Sequence, residues 1–124
     1  MQFKLAETYR YWWPVTVRVP DPANAGKILE QSLRVQLEPL PQADLDAALE
    51  DSLKLKTGRE ITAHGIRQVQ RVVTNWDGVV DEKGAPVPFS DAMLEQALQH
   101  AWFRVAIQKA LAESQNGEEA RLGN

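Results

Sequence analysis

An α+β fold is expected for this chain: an N-terminal antiparallel β-hairpin or small sheet over about residues 14–38, then three to four α-helices. Three observations carry that expectation. Up to about residue 40, apolar and polar positions alternate with a period of two. From about residue 41 the apolar spacing changes to three and four. Between the helical stretches, Asn75–Ser90 has no period and is dense in Gly, Pro and Asp. Strands followed by helices, rather than alternating with them, read as α+β.

The strands come first. Tyr11, Trp13, Val15, Val17 and Val19 share one parity, and Trp12, Thr16 and Arg18 share the other. Leu29, Leu33, Val35 and Leu37 then alternate with Glu30, Ser32, Arg34, Gln36 and Glu38. A period of two places one set on a core face and the other in water. Pro20-Asp21-Pro22-Ala23-Asn24-Ala25-Gly26 between the runs reads as a loop. Two antiparallel strands, about 14–20 and 28–38, follow from this, with a possible third over 2–9. Pro14 belongs at a strand start or on a sheet edge, where no ladder donor is required.

The helices follow. Leu45, Ala48, Leu49 and Leu53 make an apolar stripe, with Asp44 and Asp46 near the start and Lys54 and Lys56 near the end, matching the helix dipole. Gly58 reads as the C-cap. A second helix is expected from near Thr62 to residue 74, with Ile61 and Ile66 as a staple and Ile66, Val69, Val72 and Val73 buried. Ser90 reads as the cap of a third helix, with Phe89 and Leu94 in staple positions. Leu94, Ala97, Leu98, Ala101, Trp102 and Val105 form one apolar face, while Phe103, Ile107, Ala110 and Leu111 form a rotated one. The rotation predicts a break or kink near Gln99–Ala101. Residues 1–114 are expected to form one domain and 115–124 a polar, disordered tail.

Composition bounds the function. The chain has 124 residues, 44% hydrophobic and 25% charged, with net charge −3 and no cysteine. That length supports a core without a disulfide or metal staple. Absence of cysteine excludes a disulfide framework, a thiolate zinc site and a cysteine nucleophile. Residues 1–40 carry five basic and four acidic side chains, and residues 41–124 carry nine and thirteen. That balance gives no general attraction to nucleic acid or to an anionic membrane. No apolar run is long enough to span a bilayer, and the first residues lack the order of a signal peptide. A cytoplasmic protein is the expectation.

Catalytic patterns find no support. His64 and His100 lie in different helices without ligands at metal spacing. Asn75–Ser90 fails the calcium-loop pattern, because Val79 and Val80 fall where a ligand and a glycine are needed. The chain has no Gly-x-Ser-x-Gly elbow and no phosphate-cradling glycine loop. Asp44/Asp46 and Glu50/Asp51 read as solvated pairs. No cofactor is implied, and the chain is read as a non-enzyme. Helix 42–57, a turn and helix 62–74 outline a helix-turn-helix, with His64, Arg67, Gln68, Gln70, Arg71, Thr74 and Asn75 as base readers. The acidic surroundings weigh against a DNA-binding regulator, which stays as an alternative.

Aromatic residues suggest protein binding. Trp102 falls on a helical core stripe and Trp76 plugs the irregular segment into the core. Tyr11-Trp12-Trp13 is different. Neighbours in a strand point to opposite faces, so Trp12 and Trp13 cannot share one core. Tyr11, Trp12 and Trp13 are therefore the candidate partner-binding residues, since Trp is enriched at interface hot spots.

The stretch Trp76-Asp77-Gly78-Val79-Val80-Asp81-Glu82-Lys83-Gly84-Ala85-Pro86-Val87-Pro88-Phe89-Ser90, followed by a helix, resembles the signature of tail assembly chaperones of long-tailed bacteriophages and prophages. In that family a helix ends in Trp-acidic-Gly-Val, an acidic-x-x-Gly turn follows, and a Pro-Phe pair opens the next helix. The resemblance implies a non-enzymatic role. Such proteins bind the long tape-measure protein while tail-tube subunits polymerise around it. The tape-measure protein would then be the partner, with the tail-tube protein as a further candidate, and a homo-oligomer is an additional expectation because one long client takes several copies. Trp76, Asp77, Gly78, Asp81, Gly84, Pro88 and Phe89 carry the resemblance and read as structural. A tail structural or connector subunit is a further alternative.

Overall fold

The computed structural model describes residues 1–120. Three strands, β1 (Tyr11–Pro20), β2 (Ile28–Leu37) and β3 (Val73–Asp77), form one antiparallel sheet in the order β1-β2-β3. Four helices accompany it: α1 (Gln42–Ser52), α2 (Gly58–Val72), α3 (Asp91–Leu98) and α4 (Ala101–Gln115). The fold class is the expected α+β.

The hairpin follows the period-two pattern residue by residue. Tyr11 pairs with Leu37 and Pro20 with Ile28, without a register shift. The Asp21 N–H donates to the Lys27 carbonyl, 2.9 Å away. In this register the odd residues of β1 therefore exchange hydrogen bonds with β2, and the even ones turn their backbone groups to the open edge. Pro14 and Pro20 are even, so neither removes a ladder bond. Side-chain direction follows the same parity. Val15, Val17, Leu33, Val35 and Leu37 are buried, while Arg18, Glu30, Ser32 and Arg34 are exposed. In the connecting loop the Asp21 carboxylate accepts from the Asn24 side chain and the Ala23 N–H. Both bonds hold its pKa below the ordinary carboxylate value.

The third strand is not residues 2–9. Those residues form no strand, and every side chain from Met1 to Arg10 is exposed. β3 instead grows directly from α2. Val72-Val73-Thr74 are β-branched, which favours extended backbone, and Val73 takes φ −85°, ψ 115°. Trp76 then pairs with Val35 of β2, the central strand.

The helices depart from expectation at α1 and α2. α1 ends at Ser52, so Lys54 and Lys56 lie beyond it. Of its expected stripe only Ala48 is buried, with Leu49 and Leu53 exposed. Gly58 is not a C-cap but the first residue of α2. The cap is Thr57, whose hydroxyl accepts from the Glu60 N–H and donates to the Glu60 carboxylate, each at 3.1 Å. A side-chain cap of this kind is worth about 1 kcal/mol. Ile61 consequently lies outside the core. Ile66, Val69 and Val72 are buried as expected.

α3 begins at the Ser90 cap, which accepts from the Met93 N–H at 3.1 Å. The expected break lies at Gln99–His100. α4 then presents Phe103, Ala106, Ile107 and Ala110 to β1 and leaves Ala101, Trp102 and Val105 outside. Tyr11 donates to the Ser114 hydroxyl at 2.7 Å, tying β1 to the far end of α4. Asn116 and Gly117 close α4 in a hydrogen-bonded turn. The rest of the expected tail, 121–124, lies outside the described residues.

Leu98 is fully buried and Leu49 is 62% exposed, although both sit on apolar stripes. Leu98→Ala is expected to cost about 2–5 kcal/mol in urea titration, and Leu49→Ala less than about 0.5 kcal/mol. Comparable losses at the two positions would contradict this packing.

Candidate partner-binding groove

The segment 76–90 is a joint built around one tryptophan. Trp76 is buried, its indole Nε1 donates to the Val87 carbonyl at 2.8 Å, and its ring meets Phe89 edge-on at 5.4 Å. Between those contacts the chain turns back on itself. Val87 N–H donates to the Val79 carbonyl, and Val80 bridges Pro86. Asp81 closes the tip by accepting from the N–H groups of Lys83 and Ala85 at 2.8 and 3.0 Å. Gly84 supplies the left-handed residue there, φ 83°. Gly78 has φ 92° and passes so near β2 that an added Cβ would stand 3.5 Å from the Leu33 Cα. Pro88 and Phe89 then lead into the Ser90 cap. Asp77 is exposed and forms a 2.7 Å ion pair with Arg34.

This joint forms one wall of a groove. The loop-proximal end of the hairpin contributes Val17, Val19, Gln31, Ser32 and Leu33. The joint contributes residues 78–82, and the α3–α4 junction contributes Ala97, His100, Trp102 and Phe103. The groove encloses about 610 Å³ and is apolar along most of its lining, with Asp81 and Glu82 at one side. Trp102 is 39% exposed and stacks on His100, ring centroids 4.8 Å apart and nearly parallel. Leu29, Val80 and Val105 are exposed large apolar residues as well, Leu29 by 41%. Covering the exposed part of a tryptophan such as Trp102 is worth about 2 kcal/mol. The groove is thus a largely apolar recess, with Gln31, Ser32, Asp81, Glu82 and His100 as its polar lining.

The three aromatic residues expected to bind a partner are divided by the sheet. Tyr11 and Trp13 turn toward the helices and meet edge-on at 6.0 Å, and Trp13 Nε1 is buried without a hydrogen-bond partner. Only Trp12 points outward. It is 38% exposed, with the Arg34 guanidinium 5.1 Å from its ring centroid. Arg34 is in turn held by Asp77, so Trp12, Arg34 and Asp77 form one line across the outer face. A cation over an indole at this distance is a favourable contact of about 0.5–1 kcal/mol at an exposed site.

The residues proposed to read DNA do not share one helix. Thr74 and Asn75 belong to β3, and Thr74 donates to Gln36 on β2. Gln70 is engaged with the Asp91 carbonyl at 3.2 Å. His64 lies half-buried on α2, far along the chain from the stacked His100. Among the described residues no three His, Asp or Glu side chains converge as metal ligands.

Trp102 was the residue that sequence reasoning placed wrongly, on a core stripe. The stripe ends at Leu98, and the break at Gln99–His100 turns α4 so that Phe103 takes the inner position. The overlap of two rotated stripes was the available signal, because residues at such an overlap can belong fully to neither face.

Gly78→Ala is expected to cost about 1–2 kcal/mol through the left-handed backbone alone. Trp76→Phe is expected to cost about 1–3 kcal/mol by stripping the Val87 carbonyl of its donor. Urea melts of both variants check this, and an unchanged midpoint in either would remove that residue from the joint. A scan against protein-family models finds no match, and comparisons with curated proteins and with solved structures find none either.

Proposed function

We propose that this chain is a non-enzymatic binding protein that acts as a tail assembly chaperone, covering apolar stripes of a tape-measure protein in the host cytoplasm during tail assembly. The observation that carries this reading is the apolar groove with its half-exposed Trp102, walled by the same segment, 76–90, that bears the chaperone resemblance. A tape-measure protein is long and helical, and its apolar stripe would aggregate if left in water. A helix laid in an apolar groove is a recurrent mode of recognition, read through anchors at i, i+3, i+4 and i+7. Asp81 and Glu82 would favour basic residues flanking such a stripe. Among the described residues no helix is long and apolar enough to cross a membrane, which is consistent with a client met away from a bilayer.

Co-expression with the tape-measure protein of the same locus tests the reading. The expected result is a soluble client that co-purifies with the chain. A client that stays insoluble and unbound would end the client assignment. Trp102→Ala is expected to weaken binding by about 30-fold, the size of an interface hot spot. Trp12→Ala should leave both binding and melting temperature nearly unchanged. The opposite pattern, with loss at Trp12 alone, would move the binding surface to the outer face of the sheet.

A further inference from the structure

The leading segment has the pattern of a strand with nothing to pair with. Met1, Phe3 and Leu5 alternate with Gln2 and Lys4, and each of the three apolar residues is at least 88% exposed. At the other end of the molecule β2 has an open edge. β3 pairs only with Arg34–Leu37, and the Glu38 N–H to Val72 carbonyl bond fixes the even residues of β2 as those facing β3. Ile28 and Glu30 therefore present backbone groups on that side, and among the described residues no backbone bond is formed to them there, while the Gly78 backbone closes on the edge at Ser32. That open edge runs beside the apolar groove, with Leu29 on the groove side and Glu30 on the outer side.

We infer that residues 1–5 of one copy add as a strand to the Ile28–Glu30 edge of a second copy, with Met1, Phe3 and Leu5 in the groove beside Val80 and Trp102. Strand addition joins main-chain hydrogen bonds to alternating side-chain anchors, and both halves are present here. Lys4 would then lie on the outer side with Glu30, sharing a carboxylate that stands 3.8 Å from the Arg18 guanidinium. A chain's own segment is too short. Residues 6–9 lie against Glu38–Pro41 at the opposite end of β2. From Leu37 to Leu29 the strand covers about 26 Å at ~3.3 Å per residue, whereas five extended residues reach about 17 Å. The occupant is thus another copy, and reciprocal exchange closes a dimer. Under the proposed function, this contact would hold the groove covered until a client displaces it.

The absence of native cysteine makes the test direct. Leu5→Cys combined with Val80→Cys in the full chain should give a disulfide-linked dimer on mild oxidation, while Leu5→Cys with Glu95→Cys should not. Sedimentation of the unmodified chain should show a concentration-dependent dimer, and the double change Phe3→Asp/Leu5→Asp should raise its dissociation constant at least tenfold with an unchanged melting temperature. A chain that stays monomeric at all concentrations, an Asp double variant that associates like the parent, or a cross-link formed within single monomers would each overturn the inference. None of these measurements involves a client, so their failure leaves the proposed function standing, and failure of the client test leaves this contact standing.

Discussion

The hairpin is longer than the helical layer that covers it, and most of what distinguishes this molecule depends on that mismatch. Burial along the inner face falls steadily toward the loop. Val35 and Leu37 are fully buried, Leu33 nearly so, and Leu29 is open. Val15 and Val17 are buried on the neighbouring strand, and Val19 only in part. The inner face carries Val19 and Leu29 out toward its tip, with Gln31 between Leu29 and Leu33, because side-chain direction in a strand is fixed by parity, whatever lies opposite. At that end the α3–α4 junction, broken at Gln99–His100, faces the hairpin across the groove. An apolar surface without a cover is the result, at a place where a folded monomer gains nothing from having one.

Trp76 determines where that surface lies. Its place opposite Val35 fixes β3 against β2, and its bonds to Val87 and Phe89 fix where the chain leaves the sheet and where α3 begins. Positioning of the loop 78–82 against Ser32 and Leu33 needs glycine at 78, since the backbone there is both left-handed and close to β2. The joint thus sets two walls of the groove at once. Of its acidic residues, Asp81 serves turn geometry by accepting from two amide donors, and Asp77 pairs with Arg34 across the sheet.

What the sequence made readable divides by physical cause. Parity in the hairpin carried over fully, because a strand's two faces are set by the backbone alone. Caps at Thr57 and Ser90 have local signatures, although Gly58 was assigned to the wrong side of its boundary because glycine suits the end of one helix and tolerates the start of the next. Leu49 and Leu53 misled for a different reason. Amphipathic spacing states which residues share a face, and it does not state that another element will cover that face. β3 was hidden because Val73–Asp77 is five residues continuing straight from a helix, too short for its own period to register. The groove was hidden because it draws on a hairpin tip, a loop and a helix junction that are distant in sequence.

The outer face of the sheet shows why exposure alone is a poor guide to a binding surface. Trp12 and Trp102 are exposed to nearly the same extent. Trp12, however, already has a partner: the Arg34 guanidinium lies over its ring, and Asp77 holds that guanidinium in place. A ligand there would have to compete with, or desolvate, an ion pair, and desolvating charge offsets much of what burying an indole gains. Trp102 stacks only on His100 and stands in a concave, mostly apolar setting. An apolar side chain placed against Trp102 there meets mostly apolar lining, so less charge is desolvated than at Trp12. Of the two tryptophans, Trp102 is thus the one whose exposure the fold leaves uncompensated.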